Sequence, residues 1–221
     1  MIVGNGLIAN ECSVIDRPDV LFFASGVSNS MNNDENNYIR EILLVESHLE
    51  TEKKFIYFSS IDEYIINERY LKHKKQIEEL IKNKTNNYII IKIPQLLGKR
   101  GNSNNFINYI YNHIKNDIEF DLFLTKRSLL DVSDLIEILK ELLKINYVGL
   151  LNINYIELMS VSDFIVIIEN ILGKSSKIKN VVQLEQVIND NTEFVNSILE
   201  LSIHNPLFYN KRVIEKYFTK K

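Results

Sequence analysis

Short runs of apolar residues alternate with longer amphipathic segments along the chain. The apolar runs are residues 1–3, 20–24, 55–58, 88–93, 120–124 and 150–153. They read as continuous runs rather than as an alternation of apolar and polar positions, which is typical of strands buried on both faces of a parallel sheet. The pattern therefore predicts six strands in such a sheet.

Between these runs, apolar residues recur at helical spacing over residues 34–52, 70–82, 106–114, 132–143 and 161–172. Gly173 directly after the last segment predicts its C-terminus. Strands that alternate with helices favour βαβ units. We predict an α/β fold: a trimmed Rossmann-like parallel sheet with helices on both faces and a small C-terminal substrate lobe. In this single domain the core would comprise about residues 1–94 and 128–155, and the lobe about 95–127 and 156–221.

Composition narrows the function classes. The chain has 221 residues, of which 45% are hydrophobic and 25% charged, and its net charge is −3. It therefore lacks the basic excess of proteins that bind nucleic acid. The single Cys12, which we expect to be buried, excludes an internal disulfide, and the four histidines lack metal-ligand spacing. Without a bilayer-length apolar run or a secretory signal at residues 1–6, we expect a cytoplasmic protein with no metal and no membrane contact.

A glycine-rich turn follows the first predicted strand. Gly4, Gly6 and Ala9 fit the pattern G-x-G-x-x-G/A, in which the glycines let the backbone approach a pyrophosphate. A strand-to-helix turn can also need glycine for its geometry alone, so both interpretations stay open at this point.

The segment after this turn departs from a full dinucleotide fold. Residues 7–18 are long enough for one short crossover and for no further strand pair. We therefore predict that the chain passes directly to the strand on the other side of the first, and that the adenosine end of the site lacks its usual wall and its acidic ribose anchor. Whether Asp16 or Arg17 substitutes for that anchor stays open.

Two serines and a tyrosine–lysine pair are the candidate catalytic residues. Ser59 and Ser60 end the third predicted strand, and Tyr70 and Lys74 are four residues apart, on one face of the next helix. An ammonium group near a phenol favours the phenolate, so such a tyrosine can exchange a proton with a substrate oxygen. The alternative is that Tyr70 is an ordinary first-turn aromatic and Lys74 a solvated lysine. His73, between them, is interpreted as a helix-surface residue.

Five segments in this order resemble the NAD-dependent epimerase/dehydratase family, the nucleotide-sugar branch of the extended short-chain dehydrogenases/reductases. The similarity covers about residues 1–172. The segments are the glycine turn at residues 4–9, Phe58-Ser59-Ser60 with Tyr64, residues 70–74 with Glu78, residues 92–102, and residues 127–135.

The resemblance implies a role for each matching residue. Tyr70 would be the acid/base, Ser60 its hydroxyl partner, and Lys74 would bind the ribose of NAD or NADP. The remaining cofactor contacts would be Gly4, Gly6, Leu7, Ile8, Ala9, Ala24, Ser25 and Gly26. The nucleotide-sugar substrate would meet Gln95, Asn102 and Arg127.

The implied activity is epimerisation, reduction or dehydration of a nucleotide sugar for polysaccharide biosynthesis, in a homodimer joined through the helices at residues 34–52 and 70–82. Two departures from the family are a short segment between Ser60 and Tyr70 and an Asp62-Glu63 pair shifted by one residue.

One alternative is a catalytically silent relative that binds a nucleotide or sugar and regulates or scaffolds a partner. Another is a reductase of a small carbonyl compound.

Overall fold

The computed structural model describes residues 1–30, 32–61, 68–99, 105–153, 156–183, 193–203 and 207–219. In these ranges the strands are β1 (Ile2–Val3), β2 (Val20–Phe23), β3 (Lys54–Ser60), β4 (Tyr88–Ile93), β5 (Gln95–Leu97), β6 (Phe120–Leu124), β7 (Lys126–Arg127), β8 (Leu129–Asp131), β9 (Gly149–Asn152), β10 (Met159–Ser160) and β11 (Ile178–Gln183). The helices are α1 (Leu7–Cys12, continued by a 3-10 turn at Ser13–Ile15), α2 (Glu35–Leu49), α3 (Glu68–Lys84), α4 (Phe106–Lys115), α5 (Val132–Lys144), α6 (Val161–Leu172), α7 (Glu193–Ser202) and α8 (Tyr209–Phe218).

Five strands form a parallel sheet in the order β1-β2-β3-β4-β9. Successive residues of its central strands point to opposite faces, and both faces are covered. In β2, for example, Phe22 joins the core on one face and Phe23 the core on the other. The predicted α/β, Rossmann-like architecture is confirmed, because continuous apolar strands are buried on two sides by helices.

One predicted strand has a different place. Residues 120–124 form β6, but this strand lies outside the main sheet and pairs in parallel with β11. Only Phe120 of this strand is fully buried, because Asp121 interrupts the run and Leu124 is exposed. The expectation of a strand buried on both faces of the main sheet was therefore wrong here. The other short pairs are β5 with β8 and β7 with β10.

The first crossover differs in hand from the next two. Cys12 of α1 packs with Phe22 on one face of the sheet, whereas Val45 of α2 and Ile77 of α3 pack with Phe23 on the other. The strands advance in one direction from β1 to β4, so a helix on the opposite face reverses the hand of its connection. Since about 98% of parallel crossovers are right-handed, at least one connection departs from that rule.

The edge position of β1 confirms the predicted short return. β1 pairs with β2, and no described strand lies on its outer side. Cys12, at the end of α1, is fully buried, and this burial, with smaller contributions from Asp16 and Glu11, raises the pKa of its thiol to about 12. Within the described ranges, no helix has the length and apolar character needed to cross a bilayer.

Candidate active site

A groove of about 940 Å³ opens at the carboxyl ends of β1 to β4, which is where ligands bind in open α/β sheets. Its lining brings together eleven residues predicted from the sequence. These are Gly6, Leu7, Ile8, Ala24, Ser25, Gly26, Ser60, Tyr70, Lys74, Gln95 and Arg127.

The two glycines of the first turn have different reasons to be glycine. Gly4 has φ +126°, and an added Cβ would lie 2.4 Å from the carbonyl oxygen of Ala24, so the turn needs this residue for its own geometry. An added Cβ at Gly6 would meet nothing within 4 Å, and Gly6 borders the groove. The Gly6 backbone is therefore open to a ligand, as a diphosphate requires. Ala9 is buried beneath the turn and does not line the groove.

Tyr70 and Lys74 are on the first two turns of α3, at the wall of the groove. The side chains are 7% and 3% exposed, so Lys74 is not the solvated lysine of the alternative interpretation. Tyr70 packs in a small apolar cluster with Val27 and Tyr38, and Lys74 Nζ lies 5.6 Å from the centre of the Tyr70 ring.

The Lys74 ammonium is anchored by a buried carboxylate that the sequence analysis missed. Lys74 Nζ donates to Glu41 Oε1 at 2.9 Å and to the Tyr57 hydroxyl at 3.0 Å, and that hydroxyl donates to Glu41 Oε1 at 2.6 Å. The Val27 amide donates to Glu41 Oε2 at 2.6 Å, and His73 Nε2 lies 2.9 Å from the same oxygen. Glu41 is fully buried.

These contacts correct the interpretation of His73. It is fully buried instead of on the helix surface, because its ring packs on Tyr38 and reaches Glu41 from the face of α3 that meets α2. Glu41 itself had a signal in the sequence: with Tyr38, Val45 and Leu49 it occupies the buried stripe of α2, where an acidic residue needs partners.

The charge of this cluster is fixed by its contacts. Burial alone would raise the pKa of the Glu41 carboxyl, but the Lys74 ammonium and hydrogen bonds from His73, Tyr57 and Val27 lower it to about 2. Burial, with the charge of Glu41, raises the pKa of Tyr57 well above its ordinary range. At neutral pH Glu41 is therefore an anion and Tyr57 a neutral hydrogen-bond donor.

The two serines at the end of β3 have different surroundings. The Ser59 hydroxyl is buried and donates to Glu78 Oε1 at 2.6 Å. The Ser60 hydroxyl is half-buried on the groove and, among the described residues, approaches the carbonyl of Ile61 at 3.5 Å. Ser60 is therefore the more accessible of the two to a ligand.

The predicted substrate residues lie on the lobe side of the groove. Arg127 is 7% exposed, and its guanidinium carbon lies 4.6 Å from the centre of the Phe106 ring, which is within cation–π distance. Gln95 starts β5 and is half-buried. Asn102, Asp62, Glu63 and Tyr64 lie outside the described residues.

Neither candidate for a substitute ribose anchor reaches the groove. Asp16 accepts from the Met1 ammonium at 2.7 Å, and Arg17 donates to Asp19 at 2.6 Å. Both lie where β2 begins, at the edge of the sheet opposite the groove. The question that the sequence left open is thus answered in the negative for both residues.

Solved structures of nucleotide-sugar enzymes share this fold. UDP-glucuronic acid 4-epimerase from Bacillus cereus, in complex with UDP-glucuronic acid and NAD, superposes with a TM-score of 0.69 at 20% identity, covering 97% of this chain and 77% of its own. UDP-N-acetylglucosamine 4-epimerase from Methanobrevibacter ruminantium M1, in complex with UDP-N-acetylmuramic acid, gives 0.68 at 15% identity, covering 95% and 79%. dTDP-4-dehydrorhamnose reductase from Bacillus anthracis str. Ames, in complex with NADP, gives 0.64 at 17%, covering 96% and 83%.

No protein-family model matches the chain, and no curated protein matches its sequence. The predicted resemblance is confirmed as a shared fold: the chain has the Rossmann-type architecture of these epimerases and of the reductase.

Proposed function

We propose that the protein uses NAD or NADP to epimerise, reduce or dehydrate a nucleotide sugar, in the biosynthesis of a polysaccharide. The observation that carries this proposal is that one groove, at the carboxyl edge of a parallel sheet, is lined by the open glycine turn, by Ser60 and by the Tyr70–Lys74 pair. The ligands bound to the structural neighbours, UDP-glucuronic acid with NAD in one and NADP in another, support a nucleotide-sugar substrate and a dinucleotide cofactor.

The groove residues divide between the two ligands. Gly6, Leu7 and Ile8 would hold the diphosphate of the dinucleotide, and Ala24, Ser25 and Gly26 would run along the cofactor. Gly4 does not line the groove and would act only by shaping the turn. When bound, the nicotinamide ring supplies or accepts the hydride, which no side chain can do. Arg127 would pair with the diphosphate of the sugar nucleotide, since a forked guanidinium matches two phosphate oxygens, and Gln95 would contact the same group.

Proton transfer would fall to Tyr70. Its hydroxyl would exchange a proton with a hydroxyl or carbonyl oxygen of the sugar, and the Ser60 hydroxyl would bind the same oxygen. Lys74 would bind the cofactor ribose and favour the phenolate through its charge. Glu41 would be a positioning residue of this site, because its carboxylate binds the Lys74 ammonium and neutralises part of its charge.

The test is the Tyr70→Phe variant. We expect turnover to fall by about 10²-fold or more with unchanged affinity for the nucleotide sugar, because the variant loses only the exchangeable proton. The substrates would be UDP-glucuronic acid, UDP-N-acetylglucosamine and a dTDP-4-keto sugar, followed by product chromatography. Tyr109→Phe, at another tyrosine of the same groove, is the matched control and should retain activity. Equal turnover by Tyr70→Phe and the wild type would refute the assignment.

A second candidate is the silent relative, which binds a nucleotide or sugar and acts through a partner. Two observations favour it: the Lys74 ammonium already bonds Glu41 and Tyr57, and no described strand lies outside β1 at the adenosine end. Thermal unfolding with NAD, NADP and nucleotide sugars discriminates the two. Stabilisation by a nucleotide sugar, with no product formed from any substrate, would favour the silent relative.

A further inference from the structure

The lobe side of the groove contains a carboxylate that the proposed function does not use. Among the described residues that line the groove, Asp121 is the only acidic one, and every other charged residue of that lining is cationic. Asp121 and Phe123 are two residues apart on β6, so their side chains share one face of the strand. Phe120 and Leu122, on the other face, pack in the apolar core. The carboxylate of Asp121 therefore faces the groove.

This carboxylate can accept further hydrogen bonds. Its Oδ1 accepts from the side-chain amide of Asn180 at 2.8 Å. Within the described part of the chain, no cation lies within ion-pair distance of Asp121, and its Oδ2 accepts from no residue. A carboxylate has about four lone-pair sites, so most of them remain open to a ligand. Because a carboxylate repels phosphates, it adds to the affinity for a nucleotide only through groups that donate hydrogen bonds to it.

Helix α4 gives the order of the charged groups along the groove. Its N-cap residue, Asn105, donates to a carbonyl of β5, next to the main sheet. The following residue, Phe106, contacts the Arg127 guanidinium. Tyr109 lies one turn further along the same face of α4, and burial, with the charge of Asp121, raises the pKa of its phenol. Away from the sheet, a guanidinium is thus followed, about 5 Å further on, by a carboxylate.

Two aromatic rings border the groove at the same level as this carboxylate. Tyr109 is exposed, and Phe123 is half-buried. The ring of Tyr109 is supported by an edge-to-face contact with Phe120, with centroids 6.2 Å apart. Exposed aromatic faces are surfaces on which a nucleobase stacks. With its diphosphate at Arg127, a nucleotide sugar would therefore place its base between these rings, within reach of Asp121.

Guanine is the base whose edge matches a carboxylate. Its N1–H and N2–H₂ groups are adjacent donors, so they can bind both carboxylate oxygens in charge-assisted hydrogen bonds. Uracil and thymine present one N3–H between two carbonyl oxygens, and these oxygens would repel the carboxylate. Adenine and cytosine place their amino group beside a ring nitrogen that is itself an acceptor. A carboxylate at this position thus favours guanine over the other four bases.

We infer that Asp121 binds the base of the nucleotide sugar and makes the protein select guanosine nucleotides over uridine and thymidine nucleotides. The inference rests on the proposed function, in that it places the diphosphate of the substrate at Arg127, and it names the base of that substrate. The chain would then differ in its base from the structural neighbours that hold UDP sugars.

The test measures the affinities for GDP, IDP and UDP by calorimetry, which requires neither a cofactor nor turnover. We expect GDP to bind about tenfold or more tightly than UDP, the range for a hydrogen bond to a charged group. IDP, which lacks the N2 amino group, should bind with intermediate affinity. Asp121→Asn should weaken GDP binding by about tenfold and leave UDP binding equal or tighter, because the amide can donate to a uracil carbonyl. Asp117→Asn is the matched control: this exposed carboxylate pairs with Lys174 outside the groove lining, so neither affinity should change.

The outcomes separate this inference from the proposed function. Equal affinities for GDP and UDP, or a preference for GDP that persists in Asp121→Asn, would overturn the inference. IDP binding as tightly as GDP would also overturn it, because only the N2 amino group distinguishes the two. A preference for GDP that depends on Asp121, with no product from any GDP sugar, would uphold the base site and count against the proposed function. Product from UDP-glucuronic acid without a preference for GDP would do the reverse, and absence of all binding would overturn both.

Discussion

At the scale of single residues, Glu41 is a buried carboxylate that holds the groove residue Lys74 in place. Its carboxylate binds an ammonium and an imidazole from α3, a phenol from β3 and a backbone amide from the loop after β2. Such a buried ion pair need not make the protein more stable than an apolar core would, but it strongly disfavours any state in which one partner is missing. The cluster therefore fixes where Lys74 stands relative to the groove.

Removal of Glu41 should be costly. We expect Glu41→Ala to lower the free energy of unfolding by about 3–5 kcal/mol, because it leaves the Lys74 ammonium buried without a counter-ion. Glu46→Ala, at an exposed position of the same helix, should change it by about 0.5 kcal/mol or less. Urea unfolding at pH 7 measures both. Similar stabilities for the two variants would mean that the ion pair is not formed in solution.

The same carboxylate predicts a pH dependence. Since the pKa of Glu41 falls from its ordinary 4.5 to about 2 on folding, its contribution is complete above about pH 4.5 and is lost as the pH falls towards 2. That shift corresponds to roughly 3 kcal/mol. The stability difference between the wild type and Glu41→Gln should thus shrink on acidification from pH 5 to pH 3, and a difference that stays constant would contradict the assignment.

The glycine turn offers a pair of substitutions with opposite expectations. Gly4→Ala should lower the unfolding free energy by about 1–3 kcal/mol, because φ is +126° and the new Cβ would collide with the Ala24 carbonyl. Gly6→Ala should leave stability nearly unchanged, because the new Cβ would meet no protein atom within 4 Å, and should weaken dinucleotide binding, because Gly6 borders the groove. Urea unfolding and ligand titration of both variants separate the two roles. Intact binding in Gly6→Ala would show that this backbone does not meet the ligand.

At the scale of elements, Asp131 joins the last helix to the sheet side of the molecule. Its Oδ1 accepts from the Ser133 amide and so caps α5, and the same carboxylate accepts from Lys216 Nζ and the Tyr217 hydroxyl of α8. Tyr209 adds a bond from its hydroxyl to Asp134. One side chain thus begins a helix and anchors another.

This double use gives a quantitative expectation. Ser160→Ala removes an exposed cap, whose Oγ accepts from the Asp163 amide at the start of α6 and donates to the Asp163 carboxylate, and should cost about 1 kcal/mol. Asp131→Ala should cost clearly more, about 2–3 kcal/mol, since the half-buried Tyr217 hydroxyl and the exposed Lys216 ammonium also lose their acceptor. Chemical denaturation compares them directly, and equal costs would indicate that α8 does not depend on Asp131.

The elements also show which structural features sequence patterns can predict and which they cannot. The strands of the main sheet, five helices and the C-cap at Gly173 were predictable, because each is encoded by local periodicity and turn chemistry. The partners of β6 and the burial of His73 were not, since they depend on which distant element approaches. Glu41 was missed for the same reason: its three side-chain partners lie on β3 and α3. The roles of Ser60, Tyr70, Lys74, Gln95 and Arg127 stay predictions, and so does the homodimer.

At the scale of the whole molecule, the sheet ends where a longer Rossmann fold would continue. β1 consists of two half-buried residues, and β2 is its one neighbouring strand in the described part of the chain. The connection from β1 to β2 has the opposite hand to the next two. The glycine turn is therefore carried by the least supported strand, whereas Tyr70 and Lys74 stand on α3, against the middle of the sheet. The half of the groove at the glycine turn is therefore less firmly held by the sheet than the half at Tyr70 and Lys74.

Amide hydrogen exchange tests this difference. The Ala24 amide donates to the Val3 carbonyl at 2.8 Å, and the Phe55 amide of β3 donates to the Asn87 carbonyl at 2.9 Å. We expect Ala24 to exchange faster than Phe55, because detachment of β1 requires less than global unfolding. Saturating ligand should slow Ala24 selectively. Equal rates without ligand would show that β1 is held as firmly as the interior strands.

If β1 detaches in a fraction of the molecules, those molecules hold no turn for a diphosphate, and the observed affinity falls by that fraction. Detachment of this strand would therefore make the affinity for ligand depend on temperature. Warming, or a truncation at Met1 that removes its bonds to Asp16 and Val20, would weaken binding while every side chain that contacts the ligand remained in place.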